Sequence, residues 1–226
     1  MDSNNKTARL AGLLYLISVV TGIFSLIYVP SHIYVHGDVS ATVKNLISSE
    51  SLFRLGIAVS SISYVDFLIL PLVLYKLLSP VNRNLAVLMV AFAVICIPID
   101  FVAIANQLDI LSLLDDEKYR QVFTPDQLNA RVMLLLDASH NKVLLSEIFW
   151  GLWLLPLGYL VFKSGFLPRI LGIGLMMGCF SYLIIFFGET IFPHYTIPGF
   201  VMWPATFGEI GICLWLLIMG ARTAPG

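Results

Sequence analysis

The chain has 226 residues, 58% of them hydrophobic and only 12% charged, against roughly 25% charged in a soluble globular domain. Composition therefore excludes an ordinary soluble fold and predicts an all-α polytopic membrane protein with the lipid bilayer as its first partner. The formal net charge of −1, with no basic tail or Lys/Arg cluster, gives no footing for nucleic-acid binding. A membrane-crossing helix needs about 20 mostly apolar residues, and six stretches qualify: 10–29, 55–77, 85–110, 143–162, 169–188 and 203–220, within a single integral membrane domain spanning 1–226.

In the first span, Lys6 and Arg9 before an apolar run imitate a secretory signal. The run continues to Val29 and ends at Pro30 with no small-x-small cleavage site, too long for an h-region of about 7–15 residues, so it reads as a retained helix. The second span carries Asp66, with Ser63 and Ser60 making a polar stripe on its face, and Pro71 frees the carbonyl of Phe67 beside the acid. In the third span Asp100, Ala103 and Gln107 share a face, and Pro98 immediately precedes them. Polar side chains beside interrupted backbone are how discontinuous membrane helices build ion or substrate sites; a simple proline kink is the plainer reading of either proline.

Between the third and fourth spans, Thr124-Pro125-Asp126-Gln127 signals a helix start with Pro at the first helical position. Leu128, Val132, Leu135 and Leu136 follow at helical spacing, predicting an amphipathic extracytoplasmic helix that runs into the fourth span. Glu147 stands early in that span, with His140 two turns before it and Gly151 a turn after. In the fifth span Gly174 and Gly178 form a small-xxx-small pair, and Gly208 and Gly211 line the sixth. Packing within the chain is the expected use of these glycines; a homo-oligomer is compatible with them but not indicated. Thr206, Glu209 and Cys213 share a face of the sixth span, and Trp150, Trp153, Trp203, Trp215 and Tyr195 read as partly interfacial anchors.

Lys and Arg are dense at the N-terminus (Lys6, Arg9), in the two tight turns (Lys76, Arg83; Lys163, Arg169) and at Arg222, with Asp2 the acid on that side. The opposite loops hold Lys44, Arg54, Lys118, Arg120, Arg131 and Lys142, diluted over longer segments and offset by Asp and Glu. Both termini are therefore predicted to be cytoplasmic. On that topology Asp100, Glu147 and Glu209 fall in the outer half of the bilayer and Asp66 lies deepest.

Ionisable groups in hydrocarbon cost several kcal/mol and are kept for a reason. Asp66, Ser63, Asp100, Gln107, Glu147 and Glu209 thus form the candidate intramembrane site, opening outward and suited to a small ion or a proton. Carboxyls that merely bond helices together are the competing reading. A third, a metal-dependent hydrolase using His140, Glu147 and Glu209, is weaker because no His-Glu-x-x-His run exists. Cys96, Cys179 and Cys213 are an odd set without paired spacing, against disulfides or a cysteine zinc site. No Gly-x-Ser-x-Gly elbow and no phosphate-binding loop occur, so no enzyme class and no cofactor is expected.

The run Gly151-Leu152-Trp153-Leu154-Leu155-Pro156-Leu157-Gly158-Tyr159-Leu160, continuing as Lys163-Ser164-Gly165-Phe166-Leu167-Pro168-Arg169-Ile170-Leu171-Gly172, resembles the DUF4386 family, a domain of unknown function. Leu52-Phe53-Arg54-Leu55-Gly56-Ile57, Pro80-Val81-Asn82-Arg83-Asn84-Leu85-Ala86 and Gly208-Glu209 extend the similarity over nearly the whole chain. The resemblance implies a six-helix protein of the bacterial cytoplasmic membrane and brings no activity. It also implies that many relatives carry His at the position of Trp153, which weakens a catalytic or metal role there.

Overall fold

A computed structural model describes residues 3–221; Asp2 and Arg222, which enter the charge argument above, lie outside the described residues. The described chain is all-helical, without strands. Helix α1 (Ser3–Gly22) passes through a π-helical turn (Ile23–Tyr28) into α2 (Val29–Ile33). There follow α3 (Val39–Ser48), α4 (Glu50–Leu78), α5 (Arg83–Asp115), α6 (Glu117–Val122), α7 (Pro125–Lys163), α8 (Arg169–Ile191), a 3-10 turn (Gly199–Met202) and α9 (Trp203–Ile218). Six helical stretches are long and apolar enough to cross a membrane: Asn4–Ile33, Glu50–Leu78, Arg83–Asp115, Pro125–Lys163, Arg169–Ile191 and Gly199–Ile218. The protein is thus a multi-pass membrane protein, with one helix for each predicted stretch.

The helix ends follow from local chemistry. Thr124 and Gln127 make a reciprocal capping box, Gln127 N–H to Thr124 Oγ1 at 3.3 Å and Thr124 N–H to Gln127 Oε1 at 3.0 Å. The helix begun there runs unbroken to Lys163, so the amphipathic segment and the fourth span are one element. Asp38 caps α3 by accepting from Ala41 N–H at 2.8 Å, and Asp116 caps α6 by accepting from Lys118 N–H at 3.0 Å. The ammonium and backbone N–H of Lys118 hold the Asp116 carboxyl below its ordinary value.

In the turn before α8, Ser164 Oγ accepts from Leu167 N–H at 3.1 Å and Gly165 takes φ +74°, backbone that only glycine adopts freely. Pro30 does not end the first span. The π-helical turn before it bonds Val29 N–H to Phe24 O, and the helix resumes with Pro30 in its first turn, where a missing N–H is harmless.

The chain divides into two compact units. Of the described residues, unit 1 contains 3–19, Asp66–Ile97 and 144–221. Its core is built from helical stripes: Leu70, Leu74 and Leu78 of α4, Met89 and Ala93 of α5, Leu154, Leu157 and Leu160 of α7, Leu171 and Leu175 of α8, and Ile212 and Leu216 of α9. Because lipid is as apolar as leucine, such helices associate by close packing, which small residues permit. A Cβ on Gly158 would stand 2.6 Å from the carbonyl oxygen of Gly172, and one on Gly172 2.6 Å from that of Gly158. Likewise Gly174 meets Gly208, and Gly178 meets Ala205. The small-residue faces of α8 and α9 are therefore spent within the chain.

Unit 2 contains Val20–Val65 and Pro98–Val143. Val29 and Ile33 of α2, Val43 and Leu46 of α3, Phe53 and Ile57 of α4, Ile104 and Ile110 of α5, and Val132 and Leu136 of α7 are among its buried residues. Arg54 bonds Glu50 at 2.6 Å and also pairs with Asp115 of α5. These groups are exposed, so water and salt screen the pairs and they add little to stability.

Candidate functional site

Two tyrosines of unit 1 converge on Glu209 of α9. Tyr182 of α8 donates its hydroxyl to Glu209 Oε2 at 2.9 Å, and Tyr15 of α1 donates to Oε1 at 3.3 Å. Packing explains both contacts. α8 and α9 are antiparallel, with Gly178 against Ala205 and Gly174 against Gly208, and side chains lean toward the N-terminus of their own helix. Tyr182, a turn beyond Gly178, and Glu209, next to Gly208, therefore lean toward each other.

α1 is drawn onto α9 by Gly12, where a Cβ would lie 2.3 Å from the backbone nitrogen of Leu217. Cys213 Sγ reaches Gly12 O at 3.7 Å beside this contact. One turn along α1 from Gly12, Tyr15 reaches Glu209. Thr206, predicted on the same face of the sixth span, is exposed and turns its hydroxyl to Met202 O at 3.0 Å.

Behind Tyr15 stands Trp153, ring centroids 6.0 Å apart, and Phe67 of α4 meets Trp153 edge-on at 5.0 Å. Trp153 is 1% exposed, so its expected role as an interfacial anchor is corrected. It is a core residue, held by α1 and α4 aromatics that its position in the apolar run did not reveal. The residue before Phe67 is the buried Asp66, whose Oδ2 accepts from Ser18 Oγ at 2.6 Å. Tyr15 and Ser18 are one turn apart on α1 and so share a face, which presents two hydroxyls to two carboxylates from different helices.

Glu147 of α7 lies one turn before Gly151, where a Cβ would stand 3.0 Å from Tyr182 Cβ. Trp150, between them, meets the Tyr182 ring edge-on at 6.4 Å. Glu147 Oε2 is buried and makes no hydrogen bond. Glu189 and Tyr182 are both close enough to interact with it electrostatically. Among the described residues no Lys or Arg forms an ion pair with Asp66, Glu147 or Glu209.

Ser63, Asp100 and Gln107 belong to unit 2. Ser63 and Asp100 are buried, and Gln107 is half-buried. Ser139 of α7 donates to Ala103 O at 3.1 Å, on the face that Asp100, Ala103 and Gln107 share. His140 is exposed. Among the described residues no three His, Cys, Asp or Glu side chains are grouped to hold a metal ion.

Sequence reasoning found the acids but not Tyr15, Ser18 and Tyr182. A tyrosine in an apolar run reads as a membrane-compatible aromatic, and only the pairing of helices shows where its hydroxyl goes. The available signal was the spacing of Tyr15 and Ser18, two hydroxyls one turn apart in a span without charged residues.

A family profile described as a domain of unknown function, DUF4386, matches residues 10–220, which takes in residues of all six membrane-length helices. An uncharacterized protein of Archaeoglobus fulgidus is 27% identical over 152 residues, covering 66% of this chain and 74% of the relative. No solved structure matches.

Proposed function

The chain belongs to the DUF4386 family, a domain of unknown function, and from that premise we propose that it is a small transporter or permease-like protein moving a small ion or a proton. The carboxylate of Glu209 is its working site. The observation that carries this reading is the state of that carboxylate: inside a span, unpaired with any described Lys or Arg, and held at both oxygens by tyrosines from two other helices. A charge kept in hydrocarbon without a counter-charge is unfavourable unless it serves a polar task. Glu147, with a buried oxygen free of hydrogen bonds, is assigned as the second acid, on the approach from exposed Glu189. We place the protein in the cytoplasmic membrane with both termini on the cytoplasmic side and the site opening outward, on the strength of the Lys/Arg distribution.

A second reading is favoured by the Ser18–Asp66 bond at 2.6 Å: here a carboxylate links two helices, as an accessory or structural membrane protein would use it. Reconstitution separates the two. In proteoliposomes under an imposed ion or pH gradient, the transport reading expects a flux that Glu209→Gln and Glu147→Gln abolish while the protein stays folded, and that Asp66→Asn retains. Flux that survives both glutamate substitutions, or no flux from folded protein under any gradient, leaves the structural reading.

A further inference from the structure

We infer that the ion handled at Glu209 is a proton rather than a metal cation, taken up on Oε1, with Tyr182 as a fixed hydrogen-bond donor and Tyr15 as a hydroxyl that reverses its direction. This rests on the reading of Glu209 as the working site. The first argument is ligand number. Hard metal cations are held by about six or more oxygens, several of them carboxylate, whereas here the one carboxylate already accepts two phenol O–H groups and, among the described residues, no three His, Cys, Asp or Glu side chains are grouped around a common point. A proton needs one lone pair, and an ionised carboxylate has about four acceptor positions, of which the tyrosines use two.

The second argument is the asymmetry of the two bonds. Tyr182 sits at 2.9 Å and Tyr15 at 3.3 Å, so the looser contact is the one to rearrange. On uptake, a proton arriving from water forms an O–H bond on Oε1 and neutralises the carboxylate. That new O–H donates to a lone pair of the Tyr15 oxygen, whose own proton swings out of the contact by rotation about the C–O bond. Tyr182 continues to donate to Oε2, now the carbonyl oxygen. Release runs the same steps backward, and both phenols stay neutral throughout. No ring has to move, which matters because Tyr15 packs against Trp153. The other titratable neighbours are Cys213, one turn along α9 and beside Tyr15, and Glu147 of α7, which bears on Tyr182.

The test is infrared difference spectroscopy of the protein in lipid nanodiscs between alkaline and acid pH, joined to proton and sodium flux in proteoliposomes. A protonated-carboxyl band is expected in the native protein and is lost in Glu209→Gln. In Tyr182→Phe the band persists at higher frequency, because the bond to the carbonyl oxygen is gone, and the shift exceeds that in Tyr15→Phe. Proton flux falls roughly tenfold or more in Tyr15→Phe, the scale of a hydrogen bond to a charged group. A band that survives Glu209→Gln, or one that Tyr182→Phe leaves in place, overturns the inference; the second holds even where Glu209→Gln does not fold. Sodium flux at fixed pH that requires Glu209 would refute the proton while upholding transport. A Glu209 band that titrates in a protein moving nothing would uphold the proton site while refuting transport.

Discussion

Ser18 and Asp66 show how a single bond is weighted in this protein. Removing the partner of a buried polar group leaves that group unsatisfied, which costs about 1–3 kcal/mol, whereas replacing both with apolar groups is close to neutral; here the buried group is Asp66 and its partner Ser18 is half-buried. Ser18→Ala is therefore expected to lower the unfolding midpoint in detergent, and Ser18→Ala with Asp66→Leu to recover most of the loss. An unchanged midpoint in Ser18→Ala would show that the 2.6 Å contact carries no stability. Asp66 was readable as a buried acid from its apolar surroundings. Its partner was not, because Ser18 lies 48 residues away and a serine in a span satisfies itself equally well on its own helix.

Among the elements, the α7–α8 hairpin is the part most fully written in the sequence. The run that carries the family resemblance supplies Gly151, Gly158 and Gly172 for close approach, and Ser164 and Gly165 for the turn. Glycines that touch and glycines that do not should behave oppositely. At Gly158, where a Cβ would stand 2.6 Å from backbone, Gly158→Ala forces the helices apart, and overpacking costs typically about 1–3 kcal/mol. At Gly22, where nothing lies within 4 Å, Gly22→Ala is expected to be neutral or to stabilise by about 0.5–1 kcal/mol through helix propensity. Thermal unfolding of the pair in one detergent checks both signs. The π-helical turn at Ile23–Tyr28 is the counter-example: composition gave no sign of it, since Pro30 reads equally as a terminator or as the first turn of a resumed helix.

At the scale of the whole molecule, the orientation proposed from the Lys/Arg bias, with both termini cytoplasmic, has a direct test. A reporter active only in the cytoplasm is expected to work when fused after Ala221 and to fail when inserted at Gly37, in the exposed loop between α2 and α3. The reverse pattern would invert the proposed orientation and, with it, the outward opening of the Glu209 site.

Composition and hydropathy by themselves determined that this is an all-helical membrane protein with six crossings, because hydrocarbon admits long helices whose backbone bonds are made internally and penalises almost everything else. They also marked Asp66, Asp100, Glu147 and Glu209, since an acid in such a stretch stands out against its neighbours. Tertiary structure alone decided which acids have company: Glu209 between Tyr15 and Tyr182, Asp66 on Ser18, Glu147 with one oxygen free of hydrogen bonds, and Trp153 in the core. Those facts depend on which helix faces meet. Lipid rewards every apolar face alike, so the choice of partner falls to glycine contacts and hydroxyl bonds between residues far apart in the chain.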